Sequence, residues 1–314
     1  MSNSNQLHDI GNGIFSYIQG GGSWGWSNAG LITDGEEALL VDTLYDLSLT
    51  GEMLKKMRDA CPVADKIDTL VNTHAHGDHT YGNKLMEGSR IITSTSTAEA
   101  MARFPPSAME AMIIAAENQG EAGAFFIEAF GAFDYSNNDY ALPTETFEDQ
   151  LSVMVGDKVV QLIEIGPAHT HGDVLIHIPK NKIIYTGDVL FTDNTPLMSE
   201  GTVGNWIDAC NYIIDLQPEV VVPGHGPMCG VEGVAAMRDY LIFIYEETKN
   251  RYDAGMGFAE ATRDIALGQY SAWGDAERIA VNVKKIYEEL LGEPISSTQP
   301  LEIFSLMSEL KRGY

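Results

Sequence analysis

Six residues in the first quarter of the chain, His74-Ala75-His76-Gly77-Asp78-His79, restrict what it can fold into more than any other feature. Three imidazoles and a carboxylate this close together cannot all enter a core without partners, because each buried polar group left unpaired costs free energy. A metal ion, or a pair of them, satisfies the set together. Imidazole nitrogen and carboxylate oxygen suit zinc, with iron, manganese, cobalt or nickel also compatible. The run follows residues 66–73, which read as a strand, so a strand must end at the site.

Three later stretches repeat that arrangement. Gly166-Pro167-Ala168-His169-Thr170, Tyr185-Thr186-Gly187-Asp188 and Val222-Pro223-Gly224-His225-Gly226 each put one ligand-type side chain just past a predicted strand, beside Gly or Pro. In layered α/β proteins sites assemble at strand ends, and glycine allows close backbone approach. The four elements are expected to converge. Cys61, Cys210 and Cys229 form no C-x-x-C pair, so sulfur has no evident part and no disulfide framework is expected.

The rest of the chain reads as a layered α/β protein. Strands are predicted at 14–19, 28–33, 37–42, 151–155, 159–165, 174–178, 182–186 and 219–222, and amphipathic helices at 46–60 and 203–216. Residues 96–148, rich in Met and aromatics, read as helices followed by an irregular stretch: either an added layer with an ordinary core or a wall of a substrate pocket. From 231 onward the chain reads as helical, at 235–251, 258–267, 276–291 and 301–310. Between the first two strands, the segment Gly20 to Trp26 is a glycine-rich tip carrying Trp24 and Trp26. It either covers a site or folds its rings back onto the core.

The series H-x-H-x-D-H followed by isolated His, Asp and His at strand ends resembles the metallo-β-lactamase-fold hydrolase superfamily over residues 8–230. The resemblance implies an α/β fold, a four-layer αββα sandwich, spanning 1–230, with an inserted helical segment at about 96–148. Residues 231–314 are then a helical C-terminal extension packed on the same domain. It also implies that His74, His76 and His169 hold a first metal, that Asp78, His79 and His225 hold a second, and that Asp188 bridges them. Two Zn2+ per chain are expected, with Fe or Mn as alternatives. Such a pair activates a bridging water at neutral pH. Asp78 is then the catalytic residue that orients the nucleophile and moves its proton. Asp42 and Thr170 are expected to support the ligands from behind, as outer partners commonly do; a strand-end turn carboxylate is the alternative for Asp42.

The run Gly187-Asp188-Val189-Leu190-Phe191 holds neither the cysteine nor the lysine expected of zinc-cysteine β-lactamases. An aspartate bridge is more like the glyoxalase II, lactonase, phosphodiesterase and general esterase branches, which leaves β-lactam hydrolysis as a side reaction. The leading expectation is a dinuclear zinc hydrolase acting on an ester, lactone, thioester or amide of a small, uncharged or aromatic molecule. Trp24, Trp26 and His171 are candidate substrate contacts, although His171 reads better as a solvated loop residue. Tyr81, Tyr135 and Asn194 are candidate donors to a developing oxyanion, and His8 and His177 read as structural. A mononuclear iron persulfide dioxygenase or a phosphodiesterase on the same fold is the alternative. A flavodiiron protein would need a flavin domain where only helices are read, and a dead scaffold would lack ligands that are present here.

Charge narrows the partners. Lys and Arg number 19 against 45 Asp and Glu, a formal net charge of -26, which repels nucleic acid and anionic lipid. The first basic residue is Lys55, and no apolar run reaches the roughly 18 residues of a membrane span. A cytoplasmic location without membrane or nucleic-acid partners is the expectation. Leu301, Phe304, Met307 and Leu310 form a helical stripe read as core, with a homodimer face as the alternative.

Overall fold

The computed structural model describes residues 5–20, 23–136, 140–295 and 302–313, so Gly21 and Gly22 of the glycine-rich tip and Leu301 of the C-terminal stripe lie outside the described residues. Seven strands form the first sheet in chain order: β1 (Gln6–Gly11), β2 (Ile14–Ile18), β3 (Ala29–Asp34), β4 (Glu37–Val41), β5 (Thr69–Val71), β6 (Arg90–Ser94) and β7 (Glu145–Phe147). It is antiparallel from β1 to β4 and parallel from β4 to β7. The second sheet holds β8 (Gln150–Val155), β9 (Lys158–Glu164), β10 (Val174–Ile178), β11 (Ile183–Phe191) and β12 (Val220–His225), in the order β12-β11-β10-β9-β8. Only its β11–β12 pair is parallel.

The helices are α1 (Leu47–Ala60), α2 (Gly77–Thr80), α3 (Thr95–Arg103), α4 (Pro106–Ala116), α5 (Gly120–Phe130), α6 (Val203–Asp215), α7 (Val231–Asp253), α8 (Phe258–Asp264), α9 (Ile279–Leu291) and α10 (Glu302–Gly313). Helix α1 begins where the Asp46 carboxylate accepts the Leu49 N–H at 2.7 Å, a cap worth about 1 kcal/mol. It stops at Cys61-Pro62, where a five-residue 3-10 turn takes over and shortens the predicted strand at 66–73 to β5.

Period-two alternation produces the layers. In β4, Leu39 and Val41 point between the sheets while Leu40 points outward onto α1; in β10, Val174 and Ile176 point inward while Leu175 faces the helices. The inward set joins Ile14, Ile32, Val71 and Ile92 to Val160, Leu162, Ile183 and Tyr185. Met53, Leu54 and Met57 of α1 cover the first sheet, and α6, α7 and α9 cover the second through Cys210, Ile213, Met237, Tyr240 and Val283. The result is the αββα sandwich, with the helices after residue 230 sharing the core of its second helical layer. Phe304, Met307 and Leu310 of the C-terminal stripe are packed within this same chain. Among the described residues, no helix is long and apolar enough to cross a membrane.

Three strands escape the sequence reading. β1 lies at a sheet edge with a half-exposed, mixed composition, β6 has only two strongly apolar residues, Ile91 and Ile92, and β7 has three residues. β11 runs on to Phe191, past the predicted end at 186, so Asp188 sits inside a strand rather than after one.

Candidate metal centre

Strand β5 delivers His74 and His76 to the edge of the sandwich, and the single turn α2 carries Asp78 and His79. Loop 166–173, between β9 and β10, brings His169; β11 brings Asp188 and the last residue of β12 is His225. Their ligand-type atoms fall into two groups, each with its atoms within 4.8 Å of one another: His74, His76, His169 and Asp188, then Asp78, His79 and His225. Asp188 reaches both groups. Its Oδ2 lies 3.3 Å from His169 Nε2, 3.4 Å from His225 Nε2 and 3.8 Å from His74 Nε2, while Oδ1 lies 3.1 Å from His79 Nε2. Asp78 Oδ2 is 3.2 Å from His225 Nε2, and His76 Nδ1 faces His169 Nε2 at 3.0 Å.

Four of the five rings are turned by a bond to the other nitrogen. Thr73 Oγ1 is 3.1 Å from His74 Nδ1 and Asp42 Oδ2 is 3.0 Å from His79 Nδ1. The carbonyl of Leu197 is 2.8 Å from His169 Nδ1, and that of Trp26 is 3.1 Å from His225 Nδ1. The Nε2 atoms of these four rings therefore point at one small volume. Asp42 also accepts from Thr73 N at 2.8 Å and Thr73 Oγ1 at 2.7 Å, so its place beneath the histidine loop matches expectation and the bare turn-carboxylate alternative falls. A Cβ on Gly224 would land on Asp188 Oδ1, which makes glycine obligatory where β12 passes the central carboxylate.

Electrostatics follow from this crowding. Burial pushes the Asp188 carboxyl upward, but His225, His79 and His74 outweigh it and hold it well below the ordinary carboxylate range. Asp78 is likewise lowered against burial by His79 and His225. Burial would lower His225, yet Asp188 and Asp78 bring it up to about 9; His79 is raised well above its usual value in the same way. Burial wins at His74, which is lowered well below its usual value, and at His169, brought to about 3.

His74 Nε2, His79 Nε2 and Asp188 Oδ1 are buried and make no well-aligned hydrogen bond, although the last two lie only 3.1 Å apart. An unsatisfied buried polar group costs about 1–3 kcal/mol, and here three converge. Ligands about 2.0–2.1 Å from a tetrahedral ion stand roughly 3.4 Å apart, close to the spacings around Asp188. The donor set fits a dinuclear metal site.

Other expectations are redistributed. Thr170 does not support the His169 ring; its N–H and hydroxyl donate to Asp173, at 2.9 Å and 2.6 Å, because Leu197 O already occupies the ring's Nδ1 side. Asp173 also accepts from Ala168 N, and burial raises its carboxyl to about 7. It braces the His169 loop, a role hidden in the sequence because nothing marks which residue of a polar loop turns inward. Tyr81 and Tyr135 donate to the carbonyls of Phe104 and Phe130, and Asn194 to that of Thr192, so all three donors are engaged. His8 lies in the edge strand β1. The His177 ring lies 3.2 Å from the Gln161 side chain on β9, away from the cluster.

A cavity of about 930 Å³ opens over the cluster, lined by Asp78, Asp188 and His225 on one side and by helices α3, α4, α5 and α10 on the others. Trp24 lines it, 7% exposed, its Nε1 donating to Glu277 at 3.1 Å and its ring under the Arg278 guanidinium at 4.4 Å. The ring is folded back onto the protein and walls the cavity at once. Trp26 is not part of the lining; its ring packs on Phe133 and its contribution is the carbonyl facing His225. His171 stands at the rim, its side chain 67% exposed and 3.8 Å from Glu200.

The family profile described as the metallo-beta-lactamase superfamily matches residues 22–225, the stretch that carries all seven clustered side chains. The chain belongs to the metallo-beta-lactamase superfamily. A 2,4-dinitroanisole O-demethylase subunit alpha of Nocardioides is 22% identical over 273 residues, 85% of this chain and 67% of that protein. The human acyl-coenzyme A thioesterase MBLAC2 is 25% identical over 244 residues, 71% of this chain and 81% of that protein. In the solved metallo-beta-lactamase from Pontibacter korlensis the same fold recurs, with a TM-score of 0.57 and 20% identity over 76% of this chain and 99% of that one. This superfamily member is an enzyme of the metal-dependent hydrolase class, with two adjoining His/Asp clusters suited to holding metal.

Proposed function

We propose that the protein is a dinuclear zinc hydrolase cleaving an ester, thioester, lactone or amide bond in a small uncharged or aromatic molecule. The observation that carries this reading is the Asp188 carboxylate, within 3.1–3.4 Å of His79, His169 and His225 and so shared between the two groups. His74, His76 and His169 with Asp188 would hold one ion; Asp78, His79 and His225 with Asp188 would hold the other. Bound there, the pair supplies a Lewis acid and a water of lowered pKa.

The chain's own residues do the rest. Asp78 stays ionised because His79 and His225 outweigh its burial, and it borders the cavity. It is the group placed to take a proton from the attacking water and return it to the leaving group. Thr73, Asp42 and the carbonyls of Leu197 and Trp26 keep the rings from turning during turnover. Trp24, Tyr45, Phe130 and Leu197 exclude water and favour an uncharged or aromatic substrate.

The thioesterase relatives support the thioester among these bonds, and the sulfur-free His/Asp set supports zinc. The test is hydrolysis of an ester, thioester, lactone and β-lactam panel by protein reconstituted with Zn2+. Turnover by the native chain and none by His76→Ala is expected. Equal turnover in both would refute the assignment.

A further inference from the structure

We propose that the cavity seats a straight acyl chain and that α10 sets the chain length it accepts. This rests on the hydrolase reading, in which the reacting carbonyl lies over the His/Asp cluster. At about 930 Å³ the cavity is at the large end for small-molecule sites, far more than a carbonyl and its leaving group fill. Away from the cluster its wall is Met109 and Met112 of α4, Phe126 of α5, and Ile303, Phe304 and Met307 of α10. None carries a charge.

Three of the six are methionines, whose unbranched thioethers repack around a flexible guest better than branched side chains do. The charged groups of the lining have neighbours of their own, although the Arg103–Glu99 and His171–Glu200 contacts are exposed and Arg278 Nε is buried without a partner. Arg103 meets Glu99 at 3.8 Å, His171 meets Glu200, and Arg278 donates to the Thr195 carbonyl and pairs with Asp275. The apolar wall therefore asks for hydrocarbon.

Helix α10 lies outside the stretch shared with the superfamily, residues 22–225. It is seated by buried Leu306, Met307 and Leu310, and by the Phe304 ring edge-on to Phe126 at 5.1 Å. Exposed ion pairs from Arg312 to Glu121, Lys311 to Glu128 and Glu309 to Arg263 fix its register on α5 and beside α8. With α10 anchored, its inner side chains act as the stop that a growing chain meets.

The experiment uses N-acetylcysteamine thioesters from acetyl to dodecanoyl with Zn2+-reconstituted enzyme, and calorimetric binding of straight 1-alkanols to the full chain. Each buried methylene should raise kcat/KM and alkanol affinity about fourfold until the cavity is full. Ile303→Trp should move that break to shorter chains and Phe304→Ala to longer ones, with metal content unchanged. Thioester cleavage with no dependence on chain length, or breaks that neither variant moves, would overturn the inference and leave the hydrolase standing. Preference for an aryl acyl group over a chain of equal carbon number would overturn it too. Stepwise alkanol affinity, with breaks displaced in both variants but no thioester cleaved, would support the chamber while removing the proposed reaction.

Discussion

The floor of the cavity is built from loops and strands between residues 74 and 225, whereas its walls come from α3 to α5 and from α9 and α10. At the floor, His74, His79, His169 and His225 are each held by a bond to one named neighbour, and the burial of polar atoms is tolerable only if the cluster is completed. At the walls, Phe126, Phe130 and Tyr45 form a continuous aromatic packing, backed by Phe133, in which no single contact dominates. Chemistry is concentrated in a few irreplaceable atoms, and selectivity is spread over replaceable surface. Changes at the floor should remove the reaction; changes at the walls should re-tune it.

The largest effects should come from Asp188→Ala and Gly224→Ala. The first removes the shared carboxylate. The second alters no ligand but puts a methyl where that carboxylate sits, so both should lose metal and turnover together while circular dichroism reports an intact sandwich. Gly224→Ala with full metal content would break the contrast. Asp78→Asn should lower kcat about 10²–10⁴-fold, measured on protein with its metal content determined in parallel.

Asp42→Ala should cost about 10–100-fold in metal affinity or activity, since it removes the acceptor facing His79 Nδ1. On the wall side, Glu277→Gln weakens the bond from Trp24 Nε1, a loss of about 1 kcal/mol. It should raise KM no more than about fivefold without changing metal content; a drop in metal content would show that this wall reaches the floor through Trp26. His171→Ala should be smallest, less than about twofold, because the ring is solvated and loosely placed opposite Glu200.

Proton linkage sharpens the same contrast. In the metal-free protein, Asp188 and Asp78 bring His225 up to about 9 and hold His79 well above its usual value, which favours protonated rings at neutral pH. A cation must displace them, so metal uptake should release protons and apparent affinity should rise as pH increases above neutrality. Calorimetry of Zn2+ binding in buffers of differing ionisation enthalpy reads this directly. Absence of proton release would contradict the charge distribution around Asp188.

This contrast also explains what was legible in the sequence. His74, His76, Asp78, His79, His169, Asp188 and His225 declared themselves because their residue types and spacing have few other uses, and the structure brings all seven together. The layered α/β class followed from the succession of short apolar strands and amphipathic helices, and the αββα sandwich from the resemblance that the seven ligand-type residues carry. What stayed hidden depends on contacts between distant residues: the carbonyls of Leu197 and Trp26, the inward turn of Asp173, and the pairing of Trp24 with Glu277, 253 positions away. Thr170 was misread for that reason, since its partner is decided by which group already holds His169. The edge strand β1 and the brief β6 and β7 were missed because pairing, not local pattern, makes them strands.

The most direct measurement is elemental analysis of the purified chain after reconstitution and dialysis, beside Asp188→Ala. About two zinc ions per native chain, and fewer than one in the variant, are expected. A native chain retaining no metal, or a variant retaining as much as the native protein, would contradict the dinuclear centre.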